Sequence, residues 1–326
     1  MRAAYYSEQG LAESVFRIGD QPTPEPGSGE VRVKLRTSGV NPSDWKVRKG
    51  GFGRGLAAAT VIPHSDGAGV IDALGAGIAE REVGERVWLW NGHWGRAFGT
   101  AAEYICVPSI QAVRLPGSVS YDEGACLGIP ALTAIHAVRA VGTGPGRTVL
   151  IVGGAGAVAS CAIQIAKARG ARVITTVSSD AKAARARQAG ADEIINYRTE
   201  SVGARLKDIT GGEGVDSVIE MDLTRNAKHY PEILRSNAMV AIYGMSGPES
   251  TLPSLWLMQN SVTLRFLFVY TISDSERRDE LAELTALLEC GAVKPIIAQR
   301  FPLEEVAKAH DAVENGGLIG NVIIDI

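Results

Sequence analysis

Over the first 120 residues, apolar and polar positions alternate in short runs such as EVRVKLR (30–36) and ERVWLW (85–90). Segments rich in glycine and proline separate them, among them PEPGSGE, RKGGFGRG and GAGIAEREVG. A period of two bounded by turn formers predicts short antiparallel strands in a turn-rich β domain. After a dense turn at Gly142–Arg147 the rhythm changes. TVLIVGG, ARVITTV, VDSVIEM and MVAIYGM are apolar runs of buried-strand length. Helix-like stretches lie between them at Val158–Arg169, Ala181–Gln188, Val202–Thr210 and near Lys228–Arg235. That alternation predicts an α/β fold, a parallel sheet with helices on both faces. In the tail, SVTLRFLFVY (261–270) and NVIIDI are expected strands, with helices at Ser273–Cys290 and Leu303–Asn315. The order of textures predicts a first domain that the chain leaves and later rejoins. The expected boundaries are 1–122 with 262–326 for that domain, and 123–261 for the other.

A length of 326 residues agrees with about two domains of ordinary size. With 45% apolar and 21% charged residues, disorder and fibrous architectures are excluded. The formal charge is -3 and no basic run exceeds two residues, so no nucleic-acid partner is expected. Cys106, Cys126, Cys161 and Cys290 share no close spacing, which excludes a CxxC metal site and predicts reduced thiols and a cytoplasmic location. MRAAYYSEQG lacks a secretory pattern. The most apolar stretch, Val262–Ile272, is short and contains Arg265, so no membrane association is expected.

The strongest motif follows the first parallel strand. Gly154-x-Gly156-x-x-Ala159, within Gly153-Gly154-Ala155-Gly156-Ala157-Val158-Ala159, fits the dinucleotide fingerprint. Gly154 is expected to make the tight turn, Gly156 to admit a pyrophosphate, and Ala159 to let the helix approach the sheet. The phosphates would meet unpaired N–H groups at the positive end of the helix. Without a ligand, the same residues make a tight strand-to-helix turn. NAD binders usually end the second strand on an acidic residue that holds the ribose 2′-hydroxyl. Here it ends Ser178-Ser179, followed by Asp180, Lys182, Arg185 and Arg187. Hydroxyls and cations suit a 2′-phosphate and therefore NADPH. Asp180 is expected as the cap of the next helix, and some of the cations as its solvated face.

A set of segments carries a resemblance across essentially the whole chain. They are Gly39-Val40-Asn41-Pro42-Ser43-Asp44, Pro63–Val70, Ala102-Glu103-Tyr104, Gly128–Ala134, Val152–Ala159, Ile195–Arg198 and Tyr243-Gly244. Together they resemble the medium-chain dehydrogenase/reductase superfamily, and within it the quinone oxidoreductase group that includes ζ-crystallin. The resemblance implies a GroES-like β domain plus a Rossmann doubly wound domain, with the active site in a cleft between them. It implies zinc independence too. Zinc-dependent members carry cysteine where this chain has Asn41, and Gly-His-Glu where it has His64-Ser65-Asp66. No cysteine falls at a ligand position, and His64 is expected as a packed or hydrogen-bonded interior histidine.

The resemblance places Asn41 in the substrate pocket as a donor to an oxygen gaining charge. It makes Asp44 a loop anchor or proton relay. At Asn41-Pro42 the alternative is a simple turn, and for Asp44 a simple cap. Lys46, after Trp45, stands where the family often has tyrosine. Cofactor contacts implied by the resemblance are Thr133, the loop Gly154–Val158, Lys182, Tyr197 near the 2′-phosphate, Tyr243-Gly244-Met245 and Leu267-Phe268-Val269. Two positions depart from the pattern: Thr224 replaces an asparagine, and Asn321 replaces a lysine in the closing stretch. Trp88, Trp90 and Trp94 fall within seven residues. Their loop is either a flat wall for an aromatic substrate or a plug or oligomer contact of the β domain.

The function expected is NADPH-dependent reduction of a quinone without metal. The alternative is an NADPH-dependent enone or alkenal double-bond reductase, and a remote one is a non-enzymatic RNA-binding or structural role. The apolar run Ser261–Tyr270 predicts an edge available to a second copy, hence a homodimer or homotetramer.

Overall fold

In the computed structural model, which describes residues 1–51 and 55–326, the chain opens with seven strands. They are β1 (Arg2–Tyr5), β2 (Arg17–Asp20), β3 (Glu30–Val40), β4 (Asp66–Leu74), β5 (Arg86–Leu89), β6 (Tyr104–Pro108) and β7 (Ala112–Arg114). A parallel set follows: β8 (Thr148–Ile151), β9 (Arg172–Val177), β10 (Glu193–Asn196), β11 (Val215–Glu220), β12 (Leu234–Ile242) and β13 (Thr263–Phe266). The chain closes with β14 (Ile297–Pro302) and β15 (Asn321–Asp325). The turn expected in RKGGFGRG lies partly outside the described residues.

Two compact units result, Met1–Pro130 with Pro295–Ile326, and Ala131–Lys294. The first carries a seven-stranded sheet in the order β14-β15-β3-β4-β5-β7, with β6 on β3. Its pairings are antiparallel except β14 with β15. The alternation seen along β3 buries Val31, Val33 and Leu35 against Ile71, Val87 and Ile105, while Lys34 and Arg36 face water. The period-two pattern thus sets the core side of the strand.

The second unit holds a six-stranded parallel sheet, ordered β10-β9-β8-β11-β12-β13. This is the doubly wound order in which the strand sequence reverses beside β8. Helices Ala157–Ala168, Asp180–Gln188 and Val202–Thr210 fall where the helical spacing predicts them.

Several expectations change. The second unit does not end at residue 261: β13 pairs with β12, and helix Asp274–Glu289 packs on helix Leu132–Ala140. Sheet pairing and then this helix packing keep the chain in this unit until Lys294. SVTLRFLFVY is a strand only over Thr263–Phe266, and a 3-10 turn at Val269–Thr271 ends it. The segment near Lys228–Arg235 is helical only to Ile233, after which β12 begins at Leu234. The cap of helix Asp180–Gln188 is Ser179, whose hydroxyl accepts the Lys182 N–H, and Asp180 is its first helical residue. Strands β10 and β14 and helix Leu132–Ala140 had no distinct periodicity to announce them.

At the β3–β4 crossing Gly39 sits opposite Asp66. A Cβ there would fall 3.0 Å from the Asp66 Cβ and overlap the Ala125 carbonyl oxygen. Gly39→Ala should cost about 1–3 kcal/mol in urea unfolding. Gly117→Ala, in open space on the surface, should stay within about 0.5 kcal/mol of the wild type.

Candidate active site

In the second unit the glycine loop joins β8 to helix Ala157–Ala168. The tight turn belongs to Gly153 rather than Gly154: its φ of 74° lies where only glycine is unstrained. Gly154 serves close packing, because a Cβ there would come 2.8 Å from the Thr175 Cγ2. The loop is tied to β9 by two bonds: Gly153 N–H donates to Thr176 Oγ1 (3.1 Å) and Gly154 N–H to the Thr176 carbonyl (3.0 Å). Gly156 caps the helix without any side-chain bond, so the first helical amides, at Ala157 and Val158, have no side-chain acceptor. Buried Ala159 brings the helix onto the sheet. Unpaired N–H groups and the helix dipole together favour an anion at this end.

Beside the loop, β9 and β10 end in register at Val177 and Asn196. The Tyr197 N–H donates to the Val177 carbonyl (3.1 Å), which sets Tyr197 next to Ser178, with 52% of it exposed. Ser178, Ser179 and Lys182 are half-buried, while Arg185 is exposed and bonds Gln188 on its own helix. Arg185 and Arg187 are exposed and form a solvated helix face, whereas Lys182, on the same helix after Ser179, is half-buried. No carboxylate terminates β9.

The remaining strand ends complete the floor of this unit. Tyr243 N–H donates to the Glu220 carbonyl (3.0 Å), so β11 and β12 end together, with Gly244 and exposed Met245 just beyond. Leu267 N–H donates to the Ile242 carbonyl (2.8 Å). Phe268 is exposed, whereas Val269 is buried and its carbonyl is held by Arg277. Thr133 is buried near the start of helix Leu132–Ala140. Asn321 lies in the first unit, and its side-chain amide is occupied by the Ile296 carbonyl (2.9 Å). Sequence reasoning missed Glu220. Its buried carboxyl accepts the Asp222 N–H (2.7 Å) and Asn226 Nδ2 (2.8 Å), and so shapes the loop after β11. Burial pushes its pKa up, with those bonds opposing. An acidic residue closing an apolar run was the only signal of it.

In the first unit, Asn41 stands between β3 and helix Pro42–Arg48. Its N–H donates to Asp44 Oδ2 (2.7 Å), and its Nδ2 donates to Asp66 Oδ2 (2.9 Å). All three residues are buried. Burial raises the Asp44 carboxyl to about 7, against the pull of the Asn41 N–H. It also raises Asp66 well above the carboxylate range, with the Asn41 bond opposing and the nearby Asp44 adding to the rise. Asp44 is thus both a cap and a group with its proton poised near neutrality. Trp45 and Lys46 follow on the helix, half-buried, with Lys46 Nζ 5.8 Å from the Trp45 ring centre.

The aromatic loop divides. Trp88 is wholly buried, and Trp90 is buried with its Nε1 donating to the Ile110 carbonyl (3.2 Å). These two fill the β domain. Trp94 is half-buried in a turn closed by its N–H on the Asn91 carbonyl (3.1 Å). His64 is the interior histidine expected of it, fully buried and hydrogen-bonded. Among the described residues, no cluster of three His, Cys, Asp or Glu side chains has metal-binding geometry.

The Asp44 shift makes a pH prediction. In the unfolded chain Asp44 ionises near pH 4; in the folded protein it keeps its proton to about pH 7. Folding therefore loses stability from this group as pH rises through that window. Asp44→Asn keeps an acceptor for the Asn41 N–H and has no proton to lose. Urea unfolding should show the variant gaining on the wild type between pH 4 and 7, by on the order of 4 kcal/mol, and no further above.

Comparison with known proteins agrees with both units. Residues 27–117 match the alcohol dehydrogenase GroES-like domain, and residues 157–289 match the zinc-binding dehydrogenase family. Quinone oxidoreductase from Lama guanicoe is 30% identical, over 99% of this chain and 97% of its own length. Among solved structures, an NAD-dependent alcohol dehydrogenase superposes with a TM-score of 0.91 at 30% identity, covering 100% of both chains. A mycobacterial protein solved as its NADPH complex superposes at 0.87 with 28% identity, again over 100% of both chains. The GroES-like sheet, the doubly wound nicotinamide-binding sheet and full-length likeness to quinone oxidoreductases together place this chain in the medium-chain dehydrogenase/reductase superfamily, in its quinone oxidoreductase group.

Proposed function

We propose that this oxidoreductase passes hydride from NADPH to a quinone without a metal ion. The observation that carries the cofactor reading is the end of β9. It offers the hydroxyls of Ser178 and Ser179, the half-buried Lys182 ammonium and the Tyr197 phenol. A 2′-phosphate takes donors and positive charge, whereas a ribose diol takes a carboxylate acceptor. The open amides at Ala157 and Val158 would hold the pyrophosphate. Thr133, Tyr243-Gly244-Met245 and Leu267–Val269 would bound the nicotinamide, whose bound form supplies the hydride at C4. Asn321, its amide committed to Ile296, serves its own strand edge instead.

Reduction of a quinone to a hydroquinone consumes one hydride, which carries both electrons, and one proton. Asn41 would donate a hydrogen bond to the oxygen that gains charge, and preorganised donors of this kind lower the barrier most where water is excluded. Asp44, protonated to about pH 7, would be the near proton reservoir. Trp45 and Trp94 would supply flat apolar surface and Lys46 a cation beside it. The donor set around Asn41 is one amide and two buried carboxyls with no thiolate or imidazole, and burial disfavours the ionised carboxylates a metal would take, so it does not suit zinc.

Assembly belongs to the same reading. β13 is an edge strand; its Phe266 is exposed, as are Phe268 just beyond it and Leu255 and Met258 on the preceding helix. A second copy would cover this edge and give a homodimer.

NADPH consumption with 1,4-benzoquinone should exceed NADH consumption by at least about ten-fold in kcat/KM, and should exceed that with an aliphatic enone. Lys182→Ala should raise the KM for NADPH about ten-fold and leave NADH unchanged, since a charge-assisted bond is worth roughly 1.5–3 kcal/mol. Equal use of both cofactors, or turnover confined to the enone, would overturn the reading.

A further inference from the structure

Six buried residues of the first unit form a continuous polar path through an otherwise apolar cluster of Val40, Val61, Ile62, Ala101, Val306 and Ala309. Arg48 Nε reaches His310 Nδ1 (3.4 Å). His310 Nε2 lies 2.9 Å from His64 Nε2, His64 Nδ1 lies 2.9 Å from Ser38 Oγ, and Ser38 Oγ lies 2.8 Å from Thr100 Oγ1. Thr100 Oγ1 is 2.5 Å from the main-chain carbonyl of Asp66. At its outer end Arg48 is anchored by Glu314 (2.8 Å) and by the Gly10 carbonyl.

The proton positions along this path follow from its two ends. A guanidinium only donates and a carbonyl only accepts. Thr100 gives its single proton to the Asp66 carbonyl, so Ser38 must donate to Thr100. Ser38 then has none left for His64, so His64 Nδ1 carries hydrogen and donates to Ser38. A neutral His64 leaves Nε2 bare, and His310 Nε2–H fills it. His310 Nδ1 is then bare, as the Arg48 donor requires. Reversing any link sets two protons or two lone pairs face to face, or strips the Asp66 carbonyl of its short bond. Both rings are neutral: burial drives His64 to about 3, and burial, His64 and Arg48 drive His310 well below the usual range.

We propose that His64 and His310 are positioning residues, links in a one-directional hydrogen-bond chain that ties the Arg48 guanidinium to the backbone of Asp66 and so fixes the carboxyl that holds Asn41. The role rests on Asn41 being the donor to the reduced oxygen. Asp66 is the hinge of the argument, because its carbonyl ends the chain while its carboxyl takes the Asn41 amide at 2.9 Å. That bond sets the amide plane. The backbone of His64 has a φ of 78°, a strained conformation for a side-chain-bearing residue. Such strain persists where surrounding bonds over-determine it, and His64 is bonded on both ring nitrogens. Polarisation by a cation at one end strengthens successive bonds of an ordered chain.

Long-range 1H–15N spectra of protein labelled in its five histidines test the chain itself. His64→Gln and His310→Gln assign the signals. His64 should show the Nδ1–H tautomer and His310 the Nε2–H tautomer, both neutral from pH 8 to pH 5. The opposite tautomers, or an imidazolium at pH 7, would overturn the chain without touching the cofactor reading. His310→Leu keeps apolar bulk and removes both bonds. It should lower kcat with quinone about ten-fold while leaving the KM for NADPH within two-fold, and His310→Gln should recover much of the loss. Unchanged kcat in a folded His310→Leu would overturn the positioning role. Full activity in Asn41→Ala alongside the expected tautomers would overturn that role at its base, by removing the donor reading while the chain stands.

Discussion

The bond from the Asn41 amide to the Asp66 carboxyl joins the end of β3 to the start of β4 at the point where helix Pro42–Arg48 begins. A carboxyl with no water around it is tolerable only if hydrogen-bonded or protonated, and Asp66 is driven toward both. Keeping it there requires the ends of β3 and β4 to meet with Asp66 opposite Gly39, where no side chain intervenes. It also requires Asp66's main chain to be held from behind, which Thr100 and Ser38 do. The same crossing starts helix Pro42–Arg48, because Asp44 reaches back to cap Asn41. Strand register, helix start and site chemistry are thus one arrangement of polar groups. Its cost in stability appears as the raised carboxyl pKa values, the usual trade of stability for a preorganised site.

The second unit works from different physics. Its central strands β8, β9 and β11 are buried on both faces, and its chemistry sits on backbone rather than on side chains: open amides at a helix start, glycine at Gly153 and a strand end without a carboxylate. Backbone groups need only small residues nearby, so a handful of glycines and hydroxyls defines the cofactor end.

That difference also explains what the sequence made legible. The glycine loop, the parallel strands and their helices are local features with their own periodicity, and they were readable as such. Even there, the division of labour among glycines is not local: the tight turn expected of Gly154 falls to Gly153, and Gly154 is needed because Thr175 on the next strand leaves it no room for a Cβ. The tryptophan run leaves a substrate wall and a plug of the β domain both open in sequence, and β5 settles Trp88 as a plug by turning it inward. The return to the first unit was placed too early because β13 resembles any apolar strand, and only its pairing with β12 assigns it. The histidine chain was beyond reach of local pattern. His64 and His310 meet across 246 residues of sequence, and no motif pairs them.

The account turns on Asn41 as the group that meets the developing charge. Single-turnover oxidation of bound NADPH by 1,4-benzoquinone, in wild type and in Asn41→Ala, addresses it most directly. The account predicts that the variant binds NADPH with unchanged Kd and transfers hydride about 10²–10³-fold more slowly, the cost of losing one preorganised donor. An unchanged transfer rate in a folded Asn41→Ala that binds NADPH normally would contradict it.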